Sequence, residues 1–375
     1  MSKLPHIGTN IFSVMSKMAN DHGAINLAQG FPNFSIDPEL SQALELSNKS
    51  GLHQYAPMGG NPDLLSTVVQ MNKDKYGIAF DPNNELLITA GATQGIFTAI
   101  QALIHAGDEV IILDPAYDCY DPSLLLVGAT PVHIGLNDAF LPDWKAIENG
   151  VSDKTKMIIV NNPHNPAGTL WGEDDYEHLE ALLEKHPNVI VLADEVYEYI
   201  TFNKTFISAK ERPALKEKMI SISSFGKTFH ITGWKIGYLA GPSNLIDEIK
   251  KVHQFLVFAV NNPGQQALAE YGKVADFDAI SRMYHKKQLL FEEAMENSPF
   301  EMLPCDGTFF QLAKYDKISN EPDTEFVKTL IHKAGVAAIP ISVFNEDSKD
   351  DRIIRFCFAK KDDTLIQAAQ QLCQI

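Results

Sequence analysis

Five short stretches combine residue types that could bind a small anionic ligand and move protons. They are Gly91-Ala-Thr-Gln-Gly, Asp114-Pro-Ala-Tyr, Asn161-Asn-Pro-His-Asn-Pro, Asp194-Glu-Val-Tyr and Ser223-Ser-Phe-Gly-Lys. Each follows a run rich in Ile, Val and Leu, and ligands in open α/β sheets gather beyond the carboxyl ends of the strands. Asp and Asn also end strands simply as turn formers, so any one stretch alone is ordinary. Five in succession deliver donors, carboxylates, aromatic rings and a lysine to a common edge. Gly91-Ala-Thr-Gln-Gly lies between a strand and a helical pattern, where free N–H groups at the helix start could hold a phosphate. It is neither a Walker loop nor the G-x-G-x-x-G dinucleotide fingerprint, and its glycines serve equally well in a tight turn. Lys227 stands between Phe225 and Phe229, with Ser224 and Lys235 close in sequence. A partly desolvated lysine beside another cation has its charge disfavoured, which frees the amine for imine chemistry; the alternative is a solvated surface lysine. Arg355, in Arg352-Ile-Ile-Arg-Phe-Cys-Phe-Ala, shares one face of an alternating strand with Cys357.

These residues need a scaffold, and the apolar pattern supplies one. Strands are predicted at Leu86–Ala90, Val110–Leu113, Met157–Val160, Val189–Ala193, Met219–Ser223 and Ile236–Ala240, with a weaker one at Thr130–Ile134. Helical patterns at Gln94–Ile104 and Asp174–Lys185 alternate with them, which indicates βαβ units and a mostly parallel sheet covered on both faces. Ile7, Ile11, Val14, Met15 and Met18 form a 3.6-period stripe that would dock a short N-terminal helix. Leu64–Tyr76 reads as a helix, and Leu245–Tyr271 as a long one broken around Asn261-Asn-Pro-Gly. After a helix at Ser281–Asn297, strands at Phe309–Leu312, Val336–Ile339 and Ile353–Phe358 and helices at Glu325–Lys333 and Asp363–Leu372 suggest a smaller α/β unit beginning near Pro299.

The ordered set Asn161-Asn-Pro-His-Asn-Pro-Ala-Gly, Asp194-Glu-Val-Tyr and Ser224-Phe-Gly-Lys-Thr-Phe-His-Ile-Thr-Gly-Trp-Lys-Ile-Gly-Tyr resembles the class I aminotransferases of the fold-type I pyridoxal-phosphate group. The similarity runs from about Leu27 to Lys360, and it looks nearest to the branch of methionine and kynurenine aminotransferases. The resemblance implies an α/β fold with a large, mostly parallel seven-stranded sheet domain and a smaller α/β domain. Residues 1–45 would form an N-terminal arm and part of the small domain, 46–280 the large cofactor-binding domain, and 281–375 the rest of the small domain. It implies pyridoxal 5'-phosphate, with Lys227 as its covalent anchor and proton carrier. Asp194 would pair with the pyridine nitrogen, Asn165 and Tyr197 would bond the phenolic oxygen, and Tyr117 would stack on the ring. The phosphate would lie on Gly91, Ala92 and Thr93 with Ser224 and Lys235 beside it, and Tyr55 would reach it from the neighbouring subunit of a homodimer. Lysine at position 235 stands where the family prefers arginine and loses the bidentate fork. Arg355 would clamp the substrate α-carboxylate, with Asn165 and Gly30 close by.

Only four arginines occur, at positions 212, 282, 352 and 355, so a second guanidinium for a distal carboxylate is not evident. Phe12, Phe31 and Phe258, with Ile11 and Phe344, are the expected side-chain pocket. Ala259 stands where the kynurenine branch carries a ring or polar group. The expected reaction is therefore transamination between an apolar, sulfur-containing or aromatic L-amino acid and a 2-oxo acid; methionine and phenylalanine come first, then kynurenine or glutamine. A cysteine-S-conjugate β-lyase on the same fold, or a non-catalytic binding module, are the alternatives. Lys+Arg is 31 against Asp+Glu 48, a net charge of −17, which opposes nucleic-acid and anionic-membrane partners. The twelve histidines lack ligand spacing, so no metal is expected; His164 and His230 flank the motifs, and no G-x-S-x-G elbow suggests a hydrolase. Four scattered cysteines, no signal-like N-terminus and no apolar run near ~20 residues make the cytoplasm the expected compartment.

Overall fold

The structure is a computed structural model that describes residues 2–375. Its strands, in chain order, are β1 (Ile25–Asn26), β2 (Leu86–Thr89), β3 (Glu109–Asp114), β4 (Thr130–Gly135), β5 (Thr155–Asn161), β6 (Ile190–Asp194) and β7 (Met219–Ser224). They continue with β8 (Gly237–Ala240), β9 (Glu301–Met302), β10 (Phe310–Lys314), β11 (Val336–Ala337), β12 (Ile339–Pro340) and β13 (Ile353–Cys357). The main sheet has the order β2-β8-β7-β6-β5-β3-β4, and only β8 runs against the rest. Side chains alternate between two apolar layers. Val110, Ile112, Met157 and Ile159 face one layer, while Ile111, Leu113, Ile158 and Val160 face the other. That two-sided burial is why these strands read as unbroken apolar runs. The weak strand at Thr130 is real: β4 pairs with β3 from Thr130 to Gly135, but as an edge strand it is only half-buried.

Register sets the chemistry on one edge. Asn161 pairs with Asp194, and Ser224 and Thr89 both pair with Gly237, so the chain leaves β2, β5, β6 and β7 at one level. A Cβ on Gly237 would lie 2.5 Å from the Ser223 carbonyl oxygen and 3.2 Å from the Ala92 nitrogen. Only glycine lets the loop after β2 approach β7 this closely.

A second sheet, β12-β13-β10-β9, is antiparallel and carries Arg355 opposite Leu312 and Ile339. The strand expected at Val336–Ile339 divides: β11 pairs with β1, and β12 joins β13. A two-residue step between partners on different sheets leaves no pattern that a single strand would not also leave. The N-terminal helix spans Ile11–Asp21, capped by Asn10, whose side chain accepts from the Phe12 N–H at 2.8 Å. Its buried face is Met15 and Ala19, whereas Ile7 and Val14 are exposed. The interruption near Asn261 separates helices Ser243–Leu256 and Asn262–Tyr271. Pro263 sits in the first turn of the second helix, where its missing N–H costs nothing, so the break precedes the proline. No helix among the described residues is long and apolar enough to cross a membrane.

Candidate active site

A cavity of about 290 Å³ opens at the carboxyl edge of the main sheet against β10 and β13. Lys227, Asp194, Tyr117, Ala92, Thr93, Asn165, Tyr197, Gly30, Phe31, Phe12 and Arg355, drawn from well-separated parts of the sequence, all line it. Gly91, Ser224 and Lys235 do not line it: Gly91 precedes Ala92 with Lys235 against it, and Ser224 ends β7 opposite Gly237. Gly91 has φ +77 at the start of the helix Ala92–Leu103, which no side chain caps, and a Cβ there would be 3.4 Å from Lys235 Nζ. Uncapped N–H groups beside an ammonium make a cradle for a phosphate.

Lys227 lies in the short helix Phe225–Thr228 after β7, with Nζ 5.6 Å from the Tyr197 ring centroid and 5.4 Å from that of Phe309. Among the described residues no carboxylate lies within ion-pair distance, and burial pushes its amine down to about 8. Asp194 ends β6 and is 3% exposed. Burial pushes its carboxyl up to about 6, against the Tyr120 hydroxyl, which donates to Oδ2 at 2.7 Å, and the Val196 N–H. A buried carboxylate without a cationic partner suits a ligand that brings a positive charge.

Arg355 is 1% exposed, and burial lowers its guanidinium to about 10. Its Nη1 donates to Asn165 Oδ1 at 2.8 Å and Nη2 to the Ala28 carbonyl at 3.4 Å, while Nε is buried without a partner. The Phe310 ring centroid lies 3.8 Å from Cζ. A flat guanidinium held from one side and below, with a donor left unmade, fits a carboxylate. Asn165 is itself fixed by Asn161, whose Oδ1 accepts from the Asn165 N–H at 2.8 Å and whose Nδ2 donates to the Asp194 carbonyl at 2.9 Å.

The turn carrying Asp194 and Tyr197 is anchored from behind by Glu195 and Glu198, each 1% exposed. Glu195 accepts from Ser208, Ser221 and the Ala209 N–H. Glu198 accepts from Ser223, Tyr76 and Lys210, the last at 2.8 Å, and Lys210 is also 3.4 Å from Glu195. Burial opposes ionisation of both acids. Lys210 and the hydroxyls still hold Glu198 below its usual range, while Glu195, more weakly paired, sits above it.

Some expectations meet a different arrangement. Within the single chain Tyr55 and Phe258 lie outside the cavity, ring against ring at 5.1 Å, 79% and 49% exposed. Phe258 has φ +67 just beyond the helix Ser243–Leu256, and its ring meets that of Tyr55 edge to face at the surface rather than joining Phe12 and Phe31. Phe344 packs on Phe12 at 5.8 Å instead of lining the cavity, and Ile11 is partly buried against the core. Asp114 faces away, bonded to His133 and to the Glu346 N–H. His164 Nε2 donates to the Pro115 carbonyl, and His230 meets the Tyr284 hydroxyl. Sequence reasoning missed Gln29, Ile96, Val196, Thr232 and Phe310 in the lining and Tyr120 behind Asp194, and it gave Asn161, named within its strand-end stretch, no role of its own. Tyr120 begins the helix Tyr120–Val127, three residues after the non-helical Tyr117, so no periodicity tied it to the site.

The profile of the family "aminotransferase class I and II" matches residues 22–372. The chain is 42% identical to a methionine aminotransferase of Escherichia coli over 100% of its own length and 98% of the other. Identity to human kynurenine–oxoglutarate transaminase 3 is 32%, over 99% and 88%. The solved structure of an Escherichia coli protein identified as a methionine aminotransferase superposes with a TM-score of 0.97 at 41% identity, over 100% and 99% of the chains. That of N-succinyldiaminopimelate aminotransferase from Mycobacterium tuberculosis gives 0.96 at 32%, again over 100% and 99%. Full-length identity and a shared fold-type I architecture make this chain a member of the class I and II aminotransferases, transaminases of a family that works with pyridoxal phosphate.

Proposed function

We propose that the chain binds pyridoxal 5'-phosphate and transfers the amino group of an apolar, sulfur-containing or aromatic L-amino acid to a 2-oxo acid. Methionine and phenylalanine are the first candidates, followed by glutamine and kynurenine. Lys227 would hold the cofactor covalently, Asp194 its ring nitrogen, and Asn165 and Tyr197 its phenolic oxygen, with Tyr117 against the ring. Gly91, Ala92, Thr93, Ser224 and Lys235 would take the phosphate. The unpartnered Arg355 Nε, the unpaired Lys227 amine and the uncapped helix start support this fit. Bound pyridoxal phosphate supplies the electron sink that makes a substrate Cα–H acidic. Once the substrate's amino group displaces it, the free Lys227 Nζ would take that proton, and an amine near 8 is poised to accept and return it around neutral pH. Arg355 grips the α-carboxylate and so fixes which bond at Cα faces Lys227. Asn161 and Tyr120 keep Asn165 and Asp194 from turning.

The working unit we infer is a homodimer. Tyr55, Phe255, Leu256 and Phe258 expose 79%, 88%, 47% and 49% of their surface around one helix end, a patch suited to a second copy. Tyr55 would then complete the partner's phosphate site.

The observation that carries the substrate reading is the charge of the cavity wall. Lys227 and Arg355 are its only cations among the described residues, and both have work at the α-carbon. A distal carboxylate would be buried beside Phe12, Phe31, Ile96 and Val196 without a cation, at a cost of several kcal/mol. Single-turnover measurements with methionine, phenylalanine and aspartate test this. Aspartate is expected to fall behind in kcat/KM by at least ~10²-fold, the ratio set by ~3 kcal/mol between transition states. Aspartate reacting as efficiently as methionine would overturn the substrate reading.

A further inference from the structure

The carboxamide of Gln29 ends a chain of hydrogen bonds that starts at the main chain and passes through Asn26 and Ser16. The N–H groups of Ala28 and Gln29 donate to Asn26 Oδ1 at 3.0 and 3.1 Å. Asn26 therefore turns its amide nitrogen to Ser16 Oγ, 3.2 Å away, and Ser16 spends its single proton on Gln29 Oε1 at 2.5 Å. The oxygen end of Gln29 is thus committed to the N-terminal helix. Its Nε2 keeps two N–H donors with no acceptor on any described residue, and Gln29 lines the cavity beside Phe12, Gly30 and Phe31.

The main chain here is equally constrained. Lys360, 3% exposed, donates from Nζ to the carbonyls of Gln29 and Phe31 at 3.1 and 2.8 Å. Gly30 between them lies against Phe310, whose Cζ would be 2.8 Å from an added Cβ. A donor fixed through both its side chain and its backbone is preorganised, so a ligand spends little ordering entropy to use it. It is also neutral. It can satisfy a carboxamide oxygen fully and a thioether sulfur weakly, but it brings no charge to offset the desolvation of a carboxylate.

We propose that Gln29 determines specificity within the transamination reading above, on which this inference rests. Its Nε2 donates to a neutral acceptor on the substrate side chain, a carboxamide oxygen first and a thioether sulfur second. A purely hydrocarbon side chain strips water from the two N–H groups and returns nothing. A carboxamide of suitable length replaces that water.

The test uses the cofactor-loaded enzyme and the variants Gln29→Leu, Gln29→Met and Ser16→Ala. Calorimetry gives affinities for two carboxylates that lack the amino group, 4-carbamoylbutanoate and 3-phenylpropanoate; single turnover gives kcat/KM for glutamine, methionine and phenylalanine. Gln29→Leu and Gln29→Met are expected to lose ~10–100-fold on the carboxamide ligands and a few-fold on methionine, while the phenyl ligands hold or gain because no N–H group is then desolvated against them, as for a site built to bond a polar group. Ser16→Ala, which lets the carboxamide turn, should give part of the same selective loss. An equal loss on all ligands would move Gln29 to the shared α-carboxylate end or to folding, and no loss on any would remove it from the substrate; either overturns the proposal. Should wild type turn over none of the three amino acids, the proposed function falls, while the calorimetric ratios still decide the role of Gln29.

Discussion

Replacing Asp194 with asparagine removes a charge that the fold alone makes costly. The carboxyl is 3% exposed, and its ordinary value of 3.8 is pushed up by burial to about 6. As pH rises past 3.8 the unfolded chain releases this proton, while the folded chain holds it until about 6. The unfolded state thus binds fewer protons across that window, and stability falls as pH rises through it. The gap of about two pH units is worth ~3 kcal/mol once both states are ionised. Asparagine carries none of this penalty, so in the cofactor-free protein Asp194→Asn should gain on wild type as pH rises. The pH-dependent part of the difference is ~1.6 kcal/mol near pH ~5 and ~3 kcal/mol near pH ~8, with a constant offset for the altered bond to Tyr120. Urea unfolding of both proteins across that range, taken as a difference, reads the effect. With pyridoxal phosphate bound the order should reverse, because a ring cation compensates Asp194 and leaves asparagine without function. A difference that stays flat between pH ~5 and pH ~8 would refute the claim that burial holds this carboxyl high.

Three other perturbations have distinct readouts. Gly30→Ala puts a Cβ 2.8 Å from Phe310 Cζ, and that ring lies 3.8 Å from the Arg355 guanidinium carbon. Overpacking of ~1–3 kcal/mol should raise KM for every amino acid ~10-fold with less effect on kcat; an unchanged KM would mean Phe310 yields without moving Arg355. Lys210→Met leaves Glu195 and Glu198 buried without a cation, so urea unfolding near neutral pH should show a loss of ~3–5 kcal/mol that shrinks on acidification. A loss independent of pH would point to packing alone. Mixing Tyr55→Phe and Lys227→Ala protomers under conditions of subunit exchange should restore activity that neither variant has, and confirmed exchange without restoration would remove Tyr55 from the partner's site.

Much of the fold was legible because the main sheet is buried on both faces, so β3, β5, β6 and β7 appear as continuous apolar runs ending in polar residues. The polar ends pointed to the edge where Asn161, Asp194 and Lys227 meet. Local pattern failed where pairing is decided by distant chain. The step from β11 to β12 changes sheets, and the N-terminal helix buries Met15 and Ala19 rather than its whole apolar stripe. The missed site residues have the same origin. Phe310 reaches Arg355 only because β10 pairs with β13, and Gln29 gains its orientation from Ser16 on another element. Nothing in the local sequence shows that Tyr55 and Phe258 lie outside the cavity of the single chain, against each other at the surface.

Every proposed role in the site depends on the cofactor attaching to the amine of Lys227. Reconstitution with pyridoxal 5'-phosphate, reduction with borohydride, digestion and mass spectrometry locate the trapped pyridoxyl group. The group is expected on Lys227, in the segment between Phe225 and Phe229, and Lys227→Ala should retain none. A pyridoxyl group found on Lys235 or any other lysine, with Lys227 unmodified, would contradict that attachment.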